Sequence, residues 1–168
     1  MSRNKRRKLT AKERKAYALT ETNSDYLAYA LGRGEDTGLW RGGAAYQTIS
    51  VKDGDMSFVK TKYFHGASTN YLEIMAVMSA VNSIPKKKSI IVYTHSEYAA
   101  RVLMNEWKAK THLNLIENFR TIASERSVLV CWMPYNKCDF FQVLDEQIKS
   151  LPELSGVALK ERYNCVNN

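Results

Sequence analysis

Cysteine is scarce in this chain. The three present (Cys131, Cys138 and Cys165) form an odd, scattered set with no CxxC pair. That argues against a disulfide framework and a zinc ribbon, and it fits a reducing, intracellular compartment such as the cytoplasm. No apolar run approaches 18 residues, so no membrane span is expected. The N-terminus is basic and lacks the apolar stretch of a signal peptide. Internal repeats and long linkers are also missing. What is present suits one domain: 168 residues, 45% of them hydrophobic and 11% aromatic, enough for a sizeable core and too many for global disorder.

Acid is nearly absent from the first 15 residues. They hold eight basic side chains (Arg3, Lys5, Arg6, Arg7, Lys8, Lys12, Arg14 and Lys15) and one acid, Glu13, for +7 of the chain's net +8. The remaining 153 residues are nearly neutral, at +1. A basic arm on a neutral body is an electrostatic footprint for nucleic acid, and its simpler alternative is a solubilising tail.

Local patterning sets the expected elements. Thr10 and Glu13 fit a capping box for a short helix over about 10–20. YLAYAL (26–31) reads as a strand, followed by the glycine-rich turn GRGEDTG (32–38). GGAAYQTISV (42–51) and MSFVKTKYFH (56–65) read as strands joined by an Asp-Gly hairpin turn at 52–55. On the second of them Phe58, Lys60, Lys62 and Phe64 share a face. Apolar residues at Leu72, Met75, Ala76, Met78, Ala80 and Val81 predict a helix from 69 or 70 to about 83. SIIVYT (89–94) and SVLVCW (127–132) are continuous apolar runs, as in strands buried on both faces. Helices are expected at 97–107, 113–125 and 140–151. The order predicts an α/β fold with a mixed five-stranded sheet, three antiparallel strands then parallel ones, flanked by helices. The divisions expected are an arm over 1–21, a domain over 22–151 and a tail over 152–168.

Four stretches resemble the ribonuclease H-like superfamily, and ribonuclease HI in particular: GGAAY (42–46), STNYLEIMAV (68–77), IIVYTHSEYA (90–99), and VCWMP through VLDEQI (130–148). The likeness covers roughly residues 26–151. It implies two-metal phosphodiester chemistry, in which carboxylates hold two Mg²⁺ ions. Of the four acids the resemblance calls for, one matches Glu73 and one matches Asp145. The third falls on His95. The fourth falls at or near Leu31, with no acid closer than Asp25, Glu35 and Asp36. The mobile histidine of the family falls near Tyr135 or Asn136. With two of four carboxylates missing, conventional cleavage is expected to be lost.

Three functions follow. The first is a catalytically degenerate ribonuclease H-like module. It would bind RNA, an RNA–DNA hybrid or a nucleoprotein complex through the basic arm and the polar segment Ser68, Thr69 and Asn70. The second is a nuclease with rearranged ligands, in which Glu73, His95 and Asp145 hold a single divalent metal. The third is a protein-interaction scaffold presenting Tyr135, Phe140 and Phe141. Without such a metal no cofactor is expected. The compact size and eroded motifs would suit a phage or virus.

Overall fold

The computed structural model describes residues 8–34 and 41–154. The two apolar runs become β4 (Ser89–Thr94) and β5 (Ser127–Trp132), paired in parallel. β4 is buried from Ile90 to Thr94, as a strand covered on both faces must be. Its other edge pairs in parallel with β1 (Tyr26–Gly34). β1 pairs antiparallel with β2 (Arg41–Ser50), and β2 with β3 (Lys60–His65). The strand order is β3-β2-β1-β4-β5, so the expected mixed five-stranded sheet is present.

Helices cover both faces. α2 (Thr69–Asn82) packs on β1 and β2 and is backed by α3 (Glu97–Leu103) and α4 (Leu113–Ser124). α5 (Asp139–Lys149) lies against β1, β2 and β3 from the opposite side. Because α2 is wedged between the sheet and α4, seven of its residues are buried, Glu73 among them. The Leu115, Ile116 and Phe119 stripe turns α4 toward it.

Several boundaries differ from the sequence reading. β1 does not stop at Leu31 but runs through Gly34, because Gly32, Arg33 and Gly34 pair with Ala44, Gly43 and Gly42. β3 begins at Lys60 rather than Met56; only a single bridge joins Met56 to Ile49, and Phe58 is 87% exposed. α3 ends at Leu103 rather than Trp107, because Asn105 takes the left-handed conformation (φ 58°).

The arm is partly folded. α1 (Ala11–Tyr17) carries the expected capping box: the Glu13 N–H donates to the Thr10 hydroxyl, and the Thr10 N–H donates to the Glu13 carboxylate at 2.7 Å. α1 packs against β5, with Ala16 buried and the Lys12 ammonium donating to the Ala123 carbonyl. The Tyr17 hydroxyl donates to Glu106 at 2.8 Å. At the other terminus Leu154 packs on the core. Arg3, Lys5, Arg6, Arg7, Glu35, Asp36 and Cys165 lie outside the described residues. Among those described, no helix is long and apolar enough to cross a membrane.

Candidate functional site

At the C-terminal end of β4 the chain must leave the sheet and enter α3. Ser96 manages the junction. Its hydroxyl accepts from the Ala99 N–H and caps α3, while its own N–H donates to the buried Thr94 hydroxyl. This turn sets His95 beyond the strand end, partly exposed. Glu73 reaches the same point from the first half of α2, which lies unusually close to β1. A Cβ on Gly32 would sit 2.2 Å from the Glu73 backbone nitrogen, so only glycine admits the helix there.

His95 Nε2 lies 2.6 Å from Glu73 Oε1. At that distance the two side chains form a charge-assisted contact whenever His95 is protonated. Burial pushes the Glu73 carboxyl above the ordinary carboxylate range, against the pull of His95, the Gly32 N–H and the Thr94 hydroxyl. Burial by itself would lower the His95 pKa. Glu73, followed by the field of Asp145, outweighs it and raises the value, with Arg33 opposing. The pair thus retains a proton more strongly than either group does in water.

Asp145 comes from α5 and is 3% exposed. Arg33 Nη1 donates to both of its oxygens, each at 2.9 Å. Lys149, one turn along α5, approaches to 3.3 Å, and the Tyr135 hydroxyl donates at 3.2 Å. Tyr135 lies in a 3-10 turn (Tyr135–Lys137), its ring edge-on to that of His95. The indole N–H of Trp132 donates to the His95 carbonyl, and its ring is 47% exposed. One carboxylate therefore meets two cations, Arg33 and Lys149.

The structure brings Glu73, His95 and Asp145 to one end of the sheet, but not as a shared ligand set. Glu73 faces His95, and Asp145 faces Arg33. The described residues contain no group of three or more His, Cys, Asp or Glu side chains placed to hold one metal ion. Leu31, where the fourth acid was expected, is 2% exposed and part of the core.

Ser68 caps α2, accepting from the Tyr71 N–H at 3.2 Å, and its hydroxyl also meets His112 Nε2. Thr69 and Asn70 are exposed, and Thr69 lies beside Gly34, on the Arg33 side of the site. Lys8, Lys12, Arg14 and Lys15 are elsewhere. α1 neighbours Ser127 and Val128 at the start of β5, whereas Trp132 ends that strand about 16 Å away at the usual rise per residue. Phe141 is fully buried and Phe140 stacks on Tyr29 at 4.3 Å, so of the three aromatics assigned to a partner surface only Tyr135 is exposed.

Arg33, Lys149 and Trp132 escaped the sequence reading as site residues. Lys149 was detectable, being four residues after Asp145 on a helix. Arg33 had been placed in a turn, where no partner could be inferred. No protein-family model matches the chain, and no curated protein matches it.

Proposed function

We propose that the chain is a ribonuclease H-like module that has exchanged metal-dependent cleavage for nucleic-acid binding, with RNA or an RNA-containing complex as the favoured partner. The strand order β3-β2-β1-β4-β5, with Glu73, His95 and Asp145 meeting at the end of β1 and β4, supports the kinship. The observation that carries the functional reading is the clamp of Arg33 on Asp145. A two-metal nuclease needs an electronegative pocket that cations enter. Here a fixed guanidinium supplies the cation, and Lys149 adds a second. Such a locus attracts phosphate rather than Mg²⁺. The basic arm adds long-range attraction, part of it from Lys12, Arg14 and Lys15 on α1.

Binding and cleavage separate the possibilities. Full-length protein should retain single-stranded RNA or an RNA–DNA hybrid with affinity that falls steeply with salt. It should leave the hybrid intact in Mg²⁺ or Mn²⁺. Metal-dependent cleavage abolished by Glu73→Ala would establish the nuclease with rearranged ligands instead. A protein-interaction scaffold draws separate support from Met56 and Phe58, exposed at 51% and 87% ahead of β3. Salt-independent recovery of one protein partner, lost with Phe58→Ser, would favour it.

A further inference from the structure

A second concave surface lies on the α2 face of the sheet, away from Arg33 and from the arm. Register pairs Tyr46 with Lys60 and Ala44 with Lys62, so these four residues stand side by side on β2 and β3. With Ser79, Asn82 and Ser83 from the end of α2 they line a cleft of about 270 Å³. Among the described residues no carboxylate lines it. Lys60 and Lys62 are exposed and take part in no ion pair among the described residues; Lys62 lies over the Phe64 ring at 5.3 Å.

The two sides of the cleft differ in chemistry. The sheet side offers ammonium donors and the Tyr46 hydroxyl. The helix side offers the Ser79 and Ser83 oxygens beside the Asn82 amide, which can both donate and accept. The Ser79 hydroxyl donates to the Met75 carbonyl at 2.7 Å, and the Ser83 hydroxyl to the Ala80 carbonyl at 2.6 Å. Each serine proton is therefore spent on the helix, which leaves the oxygen as an acceptor. A bare anion leaves the two serine oxygens without a donor. A molecule with an anion at one end and hydroxyl donors at the other satisfies both sides.

We propose that this cleft binds a sugar–phosphate unit, its phosphate on Lys60 and Lys62 and its hydroxyls on the Ser79 and Ser83 oxygens. The unit belongs either to an RNA strand, whose 2′-hydroxyl is the donor that DNA lacks, or to a free phosphorylated sugar. The proposal stands whether or not the arm binds nucleic acid.

The test is nuclear magnetic resonance on labelled full-length protein, titrated with ribose 5-phosphate, 2-deoxyribose 5-phosphate, single-stranded RNA and DNA of the same sequence. Resonances of Lys60, Lys62, Ser79, Asn82 and Ser83 should shift together, more with the ribose forms than with the deoxyribose forms. Lys60→Ala with Lys62→Ala should weaken that binding by about tenfold, as expected for losing two charge-assisted contacts at an exposed site. Ser79→Ala should reduce the ribose preference and spare the phosphate response. A response to RNA without one to ribose 5-phosphate assigns the site to a strand, and the reverse assigns it to a free ligand. Silence of these resonances with all four probes would overturn the proposal. So would unchanged affinity in the double lysine variant, whose exposed positions pose no risk to folding.

Discussion

Glu73 and His95 both hold a proton more tightly in the folded chain than outside it. Across the interval between the unfolded and folded values, the native state binds more protons than the unfolded state. That contribution to stability is complete below the ordinary glutamate range and is lost as pH rises through the raised values of the pair. The Tm of the wild type should therefore fall as pH rises from below the ordinary glutamate range through the raised values of the pair. Glu73→Gln cannot ionise and should flatten the profile; parallel thermal-melt profiles for the two proteins would contradict this. Arg33 supports a different prediction. Arg33→Ala leaves the buried carboxylate of Asp145 to Lys149 and Tyr135. It should cost about 1–3 kcal/mol in chemical denaturation, nearer the low end because Arg33 is half exposed. It should also weaken RNA binding. An unchanged affinity would remove Arg33 from the proposed interface. His95→Asp should not restore cleavage, because Leu31 still fills the core where a further acid was expected.

Among the elements, the contact between β1 and α2 is the least forgiving. Gly32→Ala would drive a methyl group to 2.2 Å from backbone atoms of both Leu72 and Glu73, so the helix must move away from the sheet. A loss of about 3 kcal/mol is expected, read from the denaturant midpoint. A change below about 0.5 kcal/mol would mean that α2 shifts freely. α1 offers a contrast. It has one buried residue, Ala16, so its hold on β5 is light. Thr10→Ala removes half of the capping box and should cost about 1 kcal/mol, felt as faster amide exchange within α1 and not elsewhere. The helix itself was legible in the sequence because a capping box is local. Its docking site was not, because Ala16 meets residues of β5 far along the chain.

At the level of the whole molecule, the basic charge is concentrated near the N-terminus, five of its side chains preceding α1. Deleting residues 2–8 removes five basic side chains and leaves Thr10 and α1 in place. The salt dependence of binding should flatten by up to about 4.5 units on duplex DNA and about 3.5 on single strands. Far-ultraviolet circular dichroism and Tm should be preserved. An unchanged slope would show that the arm does not carry non-specific affinity. A cut through residue 19 is a different experiment, since it strips Ala16 and Leu19 from the core edge and should lower Tm as well.

Periodicity determined most of the architecture in advance. SIIVYT and SVLVCW could be little other than buried parallel strands, and the apolar repeat from Leu72 to Val81 had to be a helix. Those patterns are local, and burial enforces them residue by residue. The arm's charge was legible from composition, whereas the nearness of Glu73 and His95 was expected only from the resemblance to the ribonuclease H-like superfamily. Tertiary structure decided the rest. Arg33 and Asp145 are 112 positions apart, and nothing in their local surroundings marks them as partners. Their meeting depends on how far β1 extends and on how α5 crosses it. Leu31 and Phe141 look as suitable for a site as for a core until packing buries them. The charge balance of the site is likewise a property of the folded chain, because opposite charges are paired by proximity in space and not by spacing along the sequence.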